Sequence, residues 1–151
     1  MGGISNLYIE SILRPTCPDF LGVFSANTIP TALLQHDKFS IVCNLSGVEE
    51  PGSHFISIIA STDSVLYIDS LGLVSVVAEI SNFLGKLKKP VYYNERQVQD
   101  VSSKYCGFYC ILFILYVNYP CTSVSFYDKQ LLRNDVVCVK KIREILNKAS
   151  P

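Results

Sequence analysis

HFISIIASTDSVLYID, residues 54–69, is the stretch on which the fold turns. His54–Ser61 is rich in isoleucine and β-prone, Thr62-Asp63 is a short turn, and Val65–Asp69 is a second β-prone run. The spacing predicts a β-hairpin, broken afterwards by Ser70-Leu71-Gly72. A chain that enters at His54 and returns to Asp69 sets an imidazole opposite a carboxylate. That is the arrangement in which an acid orients a histidine and stabilises its charged form. An aspartate that merely ends a strand in a turn is the ordinary alternative.

Working outward, Phe39–Leu45 reads as a further strand before the turn-like GVEEPGS, and Val91–Tyr93 as another. Residues 5–13 read as a short helix capped by Ser5 and followed by Pro15, residues 18–30 as an irregular loop, and 31–36 as a short helix. In residues 73–87, Val76, Val77, Ile80, Phe83, Leu84 and Leu87 recur at helical intervals. Cys106–Tyr119, CGFYCILFILYVNY, is apolar all round. It falls short of the about 20 residues a bilayer span needs and is ended by Pro120, so a buried core helix is expected. The last helix, about 134–148, has Asn134 as cap and Val136, Val139, Ile142, Ile145 and Leu146 on one face. No linker or repeat separates these elements, and one domain over residues 1–151 is expected. The fold class expected is α+β, a small mixed sheet flanked by helices.

With 49% hydrophobic and 17% charged residues the chain is globular in composition. Its zero net charge is unevenly spread. Residues 1–85 hold two basic against eight acidic side chains, a net of −6, and residues 86–151 hold eleven against five, a net of +6. A basic C-terminal half of this kind is a candidate DNA-binding patch, unless the two halves interleave and cancel. The N-terminus lacks the basic and apolar regions of a secretory leader, so secretion is not expected. Of six cysteines (17, 43, 106, 110, 121 and 138) several lie in apolar stretches, where the residue acts as a small hydrophobe. No pair of CxxC motifs is present and there are two histidines, which argues against a zinc site.

Cys106 stands apart from the other thiols. It follows a polar loop and opens the apolar helix, where unpaired N–H groups and the helix dipole favour a thiolate. Gly107 behind it would let a substrate backbone approach, and the N–H of either residue could serve an oxyanion. His54 is the better placed of the two histidines to act as base, since His36 lies in the polar run QHDK. Gln99 and its competitor Gln97 could each offer an uncharged amide donor to a developing oxyanion.

Taken together, GSHFISIIA, VLYIDSLG and VQDVSSKYCGFYCILFI resemble adenain, the adenoviral cysteine protease, with relatives in Maverick/Polinton elements and a clan shared with SUMO-deconjugating proteases. The features that match are a histidine followed by an aromatic residue, an acid-x-x-Gly group on the next strand, and a glutamine before Cys-Gly-x-x-Cys. The resemblance extends over about residues 18–119, including PDFLGVF and IVCNLSG.

This resemblance implies a thiol endopeptidase with papain-like site geometry in the chain order His-Asp-Cys. Cys106 would be the nucleophile, His54 the general acid/base and Asp69 its orienting acid. Gln99, at the adenain distance from the cysteine, would be the oxyanion donor in preference to Gln97. No cofactor is required for the chemistry, and no membrane partner is implied. The implied substrates are capsid or core precursor proteins, cut near small residues such as glycine, in the host nucleus or the virion. Adenain is activated by a disulfide-linked peptide and by DNA. Between Val74 and Gln99 this chain has no cysteine to anchor such a peptide, while its basic half leaves the DNA effect open. Other departures are Phe55 in place of tryptophan after the histidine, and Asp69 where adenoviral enzymes carry Glu. Two alternatives share these residues: a deconjugating protease for a SUMO-like tail, and a non-catalytic capsid-associated module derived from a protease. Cys110, one turn beyond Cys106, is expected to serve packing.

Overall fold

In the computed structural model, the described residues are 4–45, 54–73, 77–94, 96–120 and 133–149. Five strands form one mixed sheet: β1 (Phe20–Ser25), β2 (Phe39–Asn44), β3 (Phe55–Ala60), β4 (Val65–Ile68) and β5 (Val91–Tyr93). Their spatial order follows the chain, β1-β2-β3-β4-β5. The outer pairs β1/β2 and β4/β5 are parallel, and β2/β3 and β3/β4 are antiparallel. The expected hairpin is β3/β4, with Ala60 opposite Val65 and Ser57 opposite Ile68.

Side-chain alternation along these strands feeds two cores. Val42, Phe55, Ile59 and Ile68 join a cluster with helices α1 (Asn6–Thr16), α3 (Cys106–Asn118) and α4 (Asp135–Ala149). Ile41, Cys43, Ile56, Ile58, Val65 and Tyr67 join a second cluster with α2 (Ala78–Lys86) and the 3-10 turns Ala26–Thr28 and Thr31–Gln35. The sheet is thus covered on both faces. Helix α3 packs against β3, α1 and α4. Residues Tyr109 through Leu115 are all buried, which is why its sequence shows no polar side. Among the described residues no helix is long and apolar enough to cross a membrane.

Four expectations are corrected. Residues 18–30 do not form an irregular loop throughout, because Phe20–Ser25 is β1. Its register slips between Phe20 and Gly22, where Gly22 has φ +142°, and this bulge hides the strand pattern. Two side chains of α1 complete that edge: Glu10 accepts the Val23 N–H at 3.1 Å and Arg14 donates to the Leu21 carbonyl at 3.2 Å. Second, α1 is capped by Ser5, whose hydroxyl accepts the Tyr8 N–H at 3.2 Å, but it runs through Pro15 to Thr16. A proline in the final turn forfeits one hydrogen bond, and the Cys17 N–H still reaches the Leu13 carbonyl at 2.8 Å. Third, α4 buries Cys138, Ile142 and Ile145, while Val136 is 78% exposed on the other side. Fourth, the helix expected over residues 73–87 begins only at Ala78, with Leu73 outside it and Val77 extended just before it, while Val76 lies outside the described residues, as do GVEEPGS up to Ser53 and Cys121.

Candidate active site

His54, Asp69 and Cys106 meet at one end of the sheet. His54 stands just before β3, with its carbonyl accepting the Leu45 N–H at 3.0 Å. Asp69 follows β4 directly. The hairpin brings His54 Nε2 within 2.5 Å of Asp69 Oδ1. Helix α3, laid across β3, delivers Cys106 at its first turn. The Phe55 N–H donates to Cys106 Sγ at 3.4 Å. With Nε2 committed to Asp69, Nδ1 is the ring nitrogen left to face the thiol.

Electrostatics follow from these contacts. Burial opposes charge on His54, but hydrogen bonds and charge from Asp69 and Cys106 outweigh it and push the imidazole up to about 9. Burial likewise opposes a thiolate at Cys106. Bonds from His54, the Phe55 N–H and the Gly107 N–H prevail, and the thiol lies below its ordinary value. Both shifts favour an imidazolium facing a thiolate. The other described thiols move the opposite way: burial raises Cys17 and pushes Cys43 up to about 12, and Cys110 and Cys138 also lie above the ordinary range. Cys110 is a buried packing residue, although it sits one turn from Cys106.

Asp69 serves the turn and the site with the same carboxylate. Its Oδ1 also accepts the Leu71 N–H at 2.8 Å, and its carbonyl accepts the Gly72 N–H at 2.8 Å. Gly72 adopts φ +74°, and a Cβ there would lie 3.0 Å from the Gln97 nitrogen. Asn94, which follows β5, fixes Asp69 from behind through its side-chain amide. In the sequence Asn94 opens the polar run NERQVQDVSSK, residues 94–104, where nothing distinguishes a structural amide from a solvated one.

Gln99 is buried. Its Oε1 accepts from the Ser70 hydroxyl and its Nε2 donates to the Ser103 carbonyl at 3.0 Å. The Val98 and Gln99 N–H groups both donate to the Ser70 carbonyl, at 2.8 and 3.0 Å. Ser70 thus stitches the turn after Asp69 to the loop before Cys106. Gln97 donates its Nε2 to the Gln99 carbonyl at 2.7 Å, acting as a brace for the other glutamine. His36 is exposed at the end of a 3-10 turn.

One sequence reading changes meaning. A Cβ on Gly107 would lie 2.8 Å from Ile4 Cγ1 and 3.3 Å from Ile9 Cδ1, so this glycine admits the α1 region rather than a substrate backbone. Phe55 places its ring in the α3-side core, and its contribution at the sulfur is its backbone N–H. Among the described residues no three His, Cys, Asp or Glu side chains group as metal ligands.

No protein-family model matches the sequence, and no curated protein does. Solved structures do. The ASFV pS273R protease matches with a TM-score of 0.60 at 15% identity, over 96% of this chain and 68% of that one. A structure of AvrA with IP6 and CoA matches at 0.50 and 14%, over 93% of this chain and 54% of that one. The SUMO protease Ulp1 gives 0.49 and 15%, over 95% and 75%. At such identities the likeness is one of architecture, and it rests on the first two. The chain has the fold of the cysteine-protease clan that its sequence resembles.

Proposed function

We propose that this chain is a cysteine endopeptidase that matures capsid or core precursor proteins of a virus or mobile element. One observation supports it above the others: Cys106 Sγ, at the tip of α3, receives the Phe55 N–H while His54 Nε2 is held 2.5 Å from Asp69. In this reading the Cys106 thiolate attacks the scissile carbonyl carbon. The carbonyl electron pair moves onto oxygen, where the second N–H of the Gln99 amide and the Cys106 N–H would receive it. The imidazolium of His54 then gives its proton to the leaving amine as the C–N bond breaks, leaving an acyl-enzyme. Water attacks that thioester with neutral His54 as base, and the thiolate is released. Asp69 keeps the imidazole oriented and balances its charge.

Residues 1–151 would act as one protease domain, in the host nucleus or the virion. The exposed Lys140, Arg143 and Lys148 on α4 belong to the basic half through which DNA would bind. Such binding would weaken steeply with salt.

Incubation with the capsid precursors encoded beside this chain tests the reading. Wild type should cleave them and Cys106→Ala should not. Equal behaviour of the two, with no preferential alkylation of Cys106, would defeat it. Rapid labelling by a SUMO-vinyl probe with the precursors left intact would instead support a deconjugating enzyme.

A further inference from the structure

The loop that carries Gln99 is fastened at its far end to α4, a part of the chain with no place in the catalytic set. Ser103 is the hinge of this attachment. Its carbonyl accepts Gln99 Nε2 at 3.0 Å. Its hydroxyl lies 2.9 Å from both carboxylate oxygens of Asp135 and accepts the Tyr105 N–H at 3.1 Å. Asp135 also accepts the hydroxyl of Tyr109, a fully buried side chain on α3 one turn past Cys106, at 3.1 Å. Two residues earlier, the Arg133 N–H donates to the Val98 carbonyl at 2.7 Å, with Arg133 at φ +58°. Asn134 caps the helix by accepting the Val137 N–H at 3.2 Å.

One carboxylate therefore ties the nucleophile helix to the loop that precedes it. Burial, with Cys138 and Asp135 nearby, keeps the Tyr109 phenol protonated and able to donate. A loop of this length between Gln99 and Cys106 has many conformations, and nothing in the His54–Asp69 hairpin restrains its Ser103 end. An oxyanion donor must be held within a fraction of an ångström to be effective.

We infer that Asp135 is a positioning residue: through Ser103 and Tyr109 it fixes the Gln99 loop relative to Cys106, so that α4 sets the oxyanion site. This rests on the reading of the chain as a cysteine protease. It separates two properties of the site. The thiolate is favoured by His54, Phe55 and Gly107, none of which is hydrogen-bonded to Asp135, whereas oxyanion binding depends on the fastened loop.

Iodoacetamide reads the thiolate alone. A peptide aldehyde ending in glycinal reads both, because Cys106 Sγ adds to its carbonyl carbon and the carbonyl oxygen takes the electron pair into the oxyanion site. In Asp135→Ala, Cys106 should be alkylated at the wild-type rate, within about twofold. Aldehyde affinity should fall about 10- to 100-fold, less than the about 10²- to 10³-fold that outright removal of an oxyanion donor costs, because Gln99 is displaced and not deleted. Asp135→Asn, which keeps an acceptor for Ser103, should recover most of that loss. Should Asp135→Ala fail to fold, Ser103→Ala leaves the Tyr109–Asp135 bond intact and carries the same expectation. Unchanged aldehyde affinity, or equal loss of alkylation and aldehyde binding, overturns the inference while the protease reading stands. A wild type that shows neither selective alkylation of Cys106 nor aldehyde binding overturns both.

Discussion

Asn94 and Asp69 grip each other through a closed pair of hydrogen bonds. Asn94 Oδ1 accepts the Asp69 N–H at 2.8 Å, and Asn94 Nδ2 donates to the Asp69 carbonyl at 2.6 Å. A further bond from Nδ2 to the Arg96 carbonyl at 3.1 Å anchors the amide to its own loop. Asp69 is thus fixed in backbone as well as side chain. Asn94→Ala should lower kcat/KM by about 100-fold, the scale on which an ångström of misplacement acts. Asn94→Asp would lose the donor to the Asp69 carbonyl and should not restore activity. Steady-state kinetics on a cleaved precursor would check both.

Removing the carboxylate itself has a signature in pH. Asp69 contributes charge and a hydrogen bond to the rise of His54 to about 9. The ion pair exists above the lowered value of Cys106 and below that of His54. Wild-type activity should therefore fall on the alkaline side near pH 9. In Asp69→Asn that limb should move to lower pH, and kcat should drop by about 10⁴, as for a triad acid changed to its amide. Profiles of kcat/KM against pH, alongside Cys106 alkylation, would report the shift.

The same group links pH to stability. His54 is raised from 6.5 when unfolded to about 9 when folded. Its stabilisation is therefore complete below pH 6.5 and is lost as pH rises through about 9. The amount is on the order of 3 kcal/mol, since each unit corresponds to about 1.4 kcal/mol. In wild type Cys106 sheds a proton on folding as His54 gains one, which cancels most of this slope. In Cys106→Ala, where Asp69 alone raises the imidazole, urea midpoints should fall with rising pH, and those of the His54→Ala/Cys106→Ala double variant should change much less.

Thiol reactivity should discriminate Cys106 from its neighbours. At pH 7, iodoacetamide should modify Cys106 before Cys17, Cys43, Cys110 or Cys138, all raised by burial. Peptide mapping by mass spectrometry over a time course would show the order. Prior modification of Cys110 would contradict the packing role given to it.

Gly107→Ala should destabilise the fold by about 1–3 kcal/mol, the usual cost of overpacking. The added Cβ would lie 2.8 Å from Ile4 Cγ1. Shortening Ile4 to Ala in the same chain should recover part of the loss, and a thermal-melt double-mutant cycle would measure the coupling. Independent, additive losses would mean that the Ile4 contact is not what forbids a side chain there.

The readable parts of this molecule were those with strong local pattern. The β3/β4 hairpin announced itself by two β-prone runs and a short turn, and α3 by an unbroken apolar run. Strand β1 did not, because Gly22 and its bulge interrupt alternation and because its edge is completed by Glu10 and Arg14 of α1. His54, Asp69 and Cys106 were legible as chemistry from residue type and position, and the hairpin supplied their meeting point. Asn94, Ser70, Ser103 and Asp135 were not. Their roles lie in bonds to residues distant in sequence, and in a linear chain each looks like any polar loop or helix-start residue. Val136 was misplaced because helical periodicity fixes a face only once a neighbour shows which side is covered, and here α3 covers Cys138 and Ile142.

The spacing of the site residues along the chain has a bearing on biosynthesis. His54 and Asp69 are 15 residues apart and meet within one hairpin, whereas the bond from Phe55 to Cys106 spans 51 residues. Local pairings close early and distant ones late. A nascent chain that has formed only the hairpin carries an oriented imidazole and no reactive sulfur, and Cys106 emerging from the ribosome is an ordinary thiol. On the proposed reading, Cys106 would become a nucleophile only when α3 docks on β3, and a partly made molecule would be unable to attack the proteins around it.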